Sequence, residues 1–119
     1  MFQINAAFRL FADAHHEAGV ALKAISKILG KNFVIDELKD HQTVIWRSSL
    51  FKAQLDLDTR EDVLEFNFMD KDSAGGFSAE GYNAQTLFKD IRYNVSQFKP
   101  TKKVKPEIMD LRSQFGAIQ

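Results

Sequence analysis

From Phe51 to Met69 apolar and polar residues alternate with a period of two. Phe51, Ala53, Leu55 and Leu57 fall on one side, and Lys52, Gln54 and Asp56 on the other. Asp58-Thr59-Arg60-Glu61-Asp62 supplies turn chemistry, and Val63–Met69 answers with Leu64, Phe66 and Phe68 against Glu65 and Asn67. This pattern predicts an antiparallel hairpin with one buried and one solvated face. Asn32–Leu38, with Phe33, Val34 and Ile35, reads as a short strand followed by a polar turn through Glu37–Gln42. Thr43–Arg47 is β-branched and aromatic, which favours a further strand. Asp70–Gly76 reads as a loop broken by Ser73, Gly75 and Gly76, and Phe77–Ala79 as an edge strand after it.

A helical period flanks this region on both sides. Phe8, Phe11, His15, Ala18, Leu22, Ile25 and Leu29 recur at steps of three and four, predicting one long helix over about Ala6–Leu29. Asn5 suits its N-cap and Gly30 its C-terminal end. Ala84, Leu87, Phe88, Ile91, Val95 and Phe98 predict a second helix capped by Asn83. Pro106 opens a short third helix whose apolar edge is Ile108, Leu111 and Phe115. So short a helix is marginal alone and must dock, on its own core or on a partner.

The expected architecture is therefore α+β. A long N-terminal helix, an antiparallel sheet of three to four strands with a central hairpin, a second amphipathic helix and a short C-terminal helix would pack on one sheet face. Residues 1–119 are expected to form a single domain, with a basic linker at residues 99–105. At 119 residues and 45% hydrophobic content the chain has material for one core. The order of elements resembles small secretion chaperones and toxin-immunity proteins in size and architecture alone, with no motif carrying the likeness.

Charge sharpens this picture. Sixteen basic residues balance sixteen acidic ones, but unevenly along the chain. Residues 1–31 carry +2, residues 32–88 carry −6, and residues 89–119 carry +4. The neutral total excludes only nonspecific attraction to polyanions. With no cysteine, thiolate metal sites, disulfides and cysteine nucleophiles are excluded. Met1–Phe11 lacks the basic and apolar regions of a signal peptide, so a cytoplasmic location without membrane association is expected.

Catalytic chemistry finds little support. Asp13, His16 and Glu17 stand at i, i+3 and i+4, a spacing that can gather metal ligands, but the adjacent His15 and His16 do not fit the zinc-helix motif HExxH. A solvated helix face explains them as well. No serine lies in a nucleophile elbow, and Ser73-Ala74-Gly75-Gly76 lacks the lysine and following helix of a phosphate loop. No catalytic residue, metal or cofactor is expected.

Two binding readings remain. Asp56, Asp58, Glu61, Asp62, Glu65 and Asp70 would make the hairpin an acidic surface for a basic protein, with Trp46 and Phe77 as aromatic anchors. The expectation is a non-enzymatic interaction module, a small inhibitor or immunity-like protein. The alternative is a nucleic-acid-binding accessory protein. It would use Lys89, Arg92, Lys99, Lys102, Lys103 and Lys105 to neutralise phosphates. Acid on the sheet's polar face counts against it. Oligomeric state is not legible.

Overall fold

The structure is a computed structural model and describes residues 9, 13, 15–39, 42–71 and 75–117. These form an α+β fold in the order α1 (His16–Leu29), β1 (Val34–Lys39), β2 (Thr43–Arg47), β3 (Phe51–Asp58), β4 (Val63–Asp70), β5 (Gly76–Gly81), α2 (Ala84–Gln97) and α3 (Lys105–Gly116). The sheet has five antiparallel strands, one or two more than the pattern predicts. Their spatial order is the chain order, β1-β2-β3-β4-β5.

The two additional lengths of strand have a common origin. The Glu37–Gln42 turn is shorter than expected, because β1 continues to Lys39 through a bulge that leaves Asp36 unpaired between Ile35 and Glu37. β5 is the full partner of β4, pairing from Leu64↔Gly81 to Met69↔Gly76. In both cases polar or glycine-bounded residues are held by cross-strand hydrogen bonds rather than by propensity.

The long first helix also needs correction. Arg9 and Asp13 have helical backbone, but His15 is extended (φ −164°) and α1 begins at His16. Its Nδ1 accepts the Ala18 backbone N–H at 3.3 Å, so His15 is the N-cap of α1. The Asn5 cap and the Phe8 and Phe11 positions lie outside the described residues. At the other end Gly30 takes φ 75°, the left-handed conformation that suits glycine after a helix.

Alternation is complete in β3, whereas Ile45 of β2 and Val63 of β4 are buried although their register puts them on the outer face. Phe51, Ala53, Leu55 and Leu57 of β3 meet Phe68, Phe66 and Leu64 of β4 on the inner face, and all are buried. Ala18, Leu22 and Ile25 of α1, Leu87 and Ile91 of α2, and Ile108 and Phe115 of α3 close over them in one cluster. Phe33, Phe51, Phe68, Phe77 and Phe98 follow one another through ring contacts of 4.9–6.5 Å, and Phe66 meets Phe115 at 6.2 Å. No described phenylalanine is exposed.

The third helix docks on its own chain. Ile108, Leu111 and Phe115 are buried, and so is Val104 just before the helix. Arg112 then ties α3 to α2. Its Nε donates to the Val95 carbonyl at 2.8 Å, and its Nη2 donates to the Phe98 carbonyl. Both acceptors lie at the end of α2, where the last carbonyls lack intrahelical partners. The basic linker is accordingly a pinned connection, with the Val104 N–H bonded to Thr101 and its side chain in the core.

Candidate functional site: the open face of the sheet and the β5–α2 seam

All three helices cover the inner face, so the outer face is built from the alternate residues of each strand. Strand register arranges those residues in rows. One row runs Lys39, Thr43, Asp56, Glu65, Glu80 across the five strands. The next runs Glu37, Ile45, Gln54, Asn67 and Ser78, with Ile45 buried, and a third runs Val34, Arg47, Lys52, Met69 and Gly76. The open face is thus not uniformly acidic, as expected, but graded. Carboxylates gather toward the β3–β4 turn, with Lys39 at the β1 edge of their row, and Arg47 and Lys52 lie at the opposite end.

The acidic end is built from the hairpin itself. Asp56 and Glu65 are directly paired, and Glu65 is paired in turn with Glu80. Asp58 closes the turn by accepting the Arg60 and Glu61 backbone N–H groups at 3.0 and 3.2 Å. Asp56 accepts from Thr43 Oγ1 at 2.6 Å and from Gln54 Nε2 at 2.9 Å. Neutral donors hold it, not a cation. Among the described residues no Lys or Arg forms an ion pair with Asp56, Asp58, Glu61, Glu65 or Glu80. On this sheet Lys39 pairs with Glu37, and Arg47 pairs with Asp36 and Glu37, all of them on β1 or β2. Glu65 sits within the acidic group. Partial burial raises its carboxyl pKa, and repulsion from Asp56, Glu80, Asp58 and Glu61 raises it further.

Four of the expected binding residues do other work. Asp62 takes φ 55° at the hairpin turn and bonds His15 Nε2 at 2.9 Å. His15, with Nδ1 accepting and Nε2 facing the carboxylate, therefore ties the start of α1 to the turn. Asp70 sits opposite Phe51 on the inner face and is only 7% exposed, so it is no part of a solvent-facing field. Trp46 is 1% exposed and donates its indole N–H to Ser26 Oγ on α1 at 3.1 Å. Phe77 is half-buried against Phe66, Phe68 and Phe98. Neither ring is a surface anchor.

The other candidates separate as well. Glu17 accepts the Ala84 N–H at 2.9 Å, capping the first turn of α2 rather than joining Asp13 and His16. Among the described residues no group of three or more His, Asp or Glu side chains is placed to hold a metal ion. Lys99, Lys102, Lys103 and Lys105 are exposed along the pinned connection. Lys89 faces a groove that it shares with Glu61, Glu80 and Asp90, and Arg92 is half-buried.

That groove is the feature the sequence reading missed. Thr86, Lys89, Asp90 and Tyr93 form the side of α2 away from its core stripe, and they stand along β5. Asp90 Oδ2 accepts the Glu80 backbone N–H at 2.9 Å, which fixes the seam between strand and helix. An open trough of about 570 Å³ lies here, between Glu61, Val63 and Tyr82 at one end and Asp90 and Tyr93 further along. A second depression continues from Glu80, Asp90 and Tyr93 to Glu65, Asn67 and Ser78. Tyr82 and Tyr93 are 72% and 64% exposed. One signal for Tyr93 is present in the sequence, since it falls off the Leu87–Ile91–Val95 stripe.

Comparison with known protein families, curated proteins and solved structures finds no match to this chain. No helix among the described residues is long and apolar enough to cross a membrane.

Proposed function

We propose that this protein is a non-enzymatic interaction module that binds a basic protein through the acidic end of its open sheet face. The observation that carries this reading is the in-register row Asp56–Glu65–Glu80, flanked by Asp58 and Glu61, with no cation paired to it among the described residues. Burial first, and then repulsion within the row, holds the Glu65 carboxyl pKa above its ordinary value. A cationic partner relieves that repulsion and is steered toward it from solution. An inhibitor that blocks a cationic site has this chemistry, and so does an immunity-like protein.

The test begins with affinity capture under nuclease treatment, followed by association kinetics with the purified partner. The triple variant Glu61→Lys, Glu65→Lys, Glu80→Lys keeps the structural bonds of Asp58 and Asp62. It should slow association by about tenfold or more at low salt, with the difference shrinking as salt rises. An unchanged on-rate overturns the proposal. So does binding that is lost on nuclease treatment and in the Lys102→Ala, Lys103→Ala, Lys105→Ala variant, which would establish the exposed lysine segment as a nucleic-acid site.

A further inference from the structure

We infer that the trough between β5 and α2 holds an extended segment of the partner carrying arginine or lysine at alternate positions, with Tyr82 and Tyr93 as its aromatic contacts. The inference rests on the acidic-docking reading and specifies the shape and chemistry of what is docked.

Three features converge on this occupant. The first is charge. Glu61, Glu80 and Asp90 line the trough, and Glu65 the depression that continues from it, against the single ammonium of Lys89 in their lining. The second is the pair of exposed tyrosine rings, which stand in the same trough as the carboxylates. A guanidinium or ammonium between ring and carboxylate gains attraction from both, and an exposed aromatic beside acid favours a cation over an apolar side chain. The third is length. From Ser78 to Tyr82 the β5 wall extends about 13 Å at about 3.3 Å per residue. From Thr86 to Asn94 the α2 wall extends about 12 Å at about 1.5 Å per residue. Walls of that length fit about four residues of extended chain. They are too short for a docked helix of useful length.

Extended geometry also sets the spacing. Alternate side chains of such a segment point the same way, about 7 Å apart. One basic side chain then reaches the Glu61 and Tyr82 end while the next reaches the Glu65 and Tyr93 region. Recognition runs through side chains, because Asp90 already occupies the Glu80 N–H on this edge. Addition of a further strand at that position is closed.

The experiment uses the whole protein and a labelled Arg-Gly-Arg-Gly-Arg-Gly peptide, followed by anisotropy and by amide chemical shifts. The controls are an Arg-Arg-Arg-Gly-Gly-Gly peptide of equal charge and a Glu-Gly repeat. The expected result is salt-sensitive binding that shifts amides of residues 76–94, favours the alternating peptide and excludes the acidic one. The Tyr82→Ala, Tyr93→Ala variant should weaken it by about tenfold, mainly by faster dissociation. Tyr82→Phe, Tyr93→Phe should retain most of the affinity, since the ring face is kept. Binding that needs Glu61, Glu65 and Glu80 but is unchanged in the double alanine variant overturns the trough while leaving acidic docking intact. So does equal affinity for the two arginine peptides. An absence of binding to either peptide at low salt overturns the trough, and acidic docking stands or falls on the partner kinetics.

Discussion

Replacing Arg112 by methionine keeps the length of the side chain and removes the two hydrogen bonds that hold the end of α2. Carbonyls at the end of a helix lack intrahelical donors, and Arg112 supplies donors to Val95 in the last turn and to Phe98 at the C-cap. A hydrogen bond from a charged group contributes about 1.5–3 kcal/mol, and a cation at a helix C-terminus adds about 0.3–1 kcal/mol. Arg112 is half-buried, so water replaces part of what is lost. The expected net destabilisation is about 2 kcal/mol, a fall in melting temperature of about 10 °C at this chain length. Trp46 is the only tryptophan and is enclosed in the core, so its emission reports urea unfolding directly. The midpoint should fall with an unchanged m-value. Arg112→Lys should recover less than half of the loss, because an ammonium does not reproduce the planar fork. A variant within about 0.5 kcal/mol of the parent, a range usual for surface substitutions, would show that the helix end is held by apolar docking alone.

Three further outcomes follow from packing and charge. In Gly81→Ala the new Cβ would stand 2.3 Å from Leu87 N and 2.7 Å from the Thr86 carbonyl carbon. Backbone atoms cannot yield cheaply, so thermal unfolding should show a loss of about 2 kcal/mol, whereas Gly116→Ala, with nothing within 4 Å, should be neutral or stabilising. Trp46→Phe removes the bond to Ser26 and leaves a void, costing about 2–3 kcal/mol by circular dichroism, and a smaller loss than about 1 kcal/mol would contradict that reading. Glu65 has a carboxyl pKa above its ordinary 4.5, so the native state holds its proton more tightly than the unfolded chain. Its contribution to stability is present below pH 4.5 and is lost as pH rises through the folded pKa. Glu65→Gln should therefore raise the melting temperature at pH 7 and give no gain at pH 4.

Local chemistry made much of the fold legible. The β3–β4 hairpin follows from alternation, and α2 follows from its stripe and its cap. Asn83 indeed accepts the Thr86 N–H at 2.8 Å, and Thr86 Oγ1 returns the bond to the Asn83 N–H. Pro106 opens α3 as expected. What was not legible depends on residues distant in sequence. The apolar period runs through His15 without a break, and the break becomes visible only when Asp62 is brought to its ring. Trp46 reads as an anchor until Ser26 of α1 is seen accepting its indole. The acidic hairpin was readable, but its extension to Glu80 and Asp90 requires β5 and α2 to be placed side by side. Asp70 carried a neglected signal, since it shares the parity of Leu64, Phe66 and Phe68 and so belongs to the inner face.

Every strand pairs with its neighbour in sequence, and this has a kinetic consequence. Each new pairing closes only a short loop, so the sheet can grow outward from the β3–β4 hairpin with little entropic cost per step. The junctions Trp46 to Ser26 and Glu17 to Ala84 tie the first helix to elements that the sheet brings within reach, and Arg112 joins two helices that are neighbours in sequence. Substitutions in the hairpin should slow folding, whereas loss of the helix clasps should chiefly hasten unfolding. The acidic face would then be assembled early, before the helices lock the core behind it.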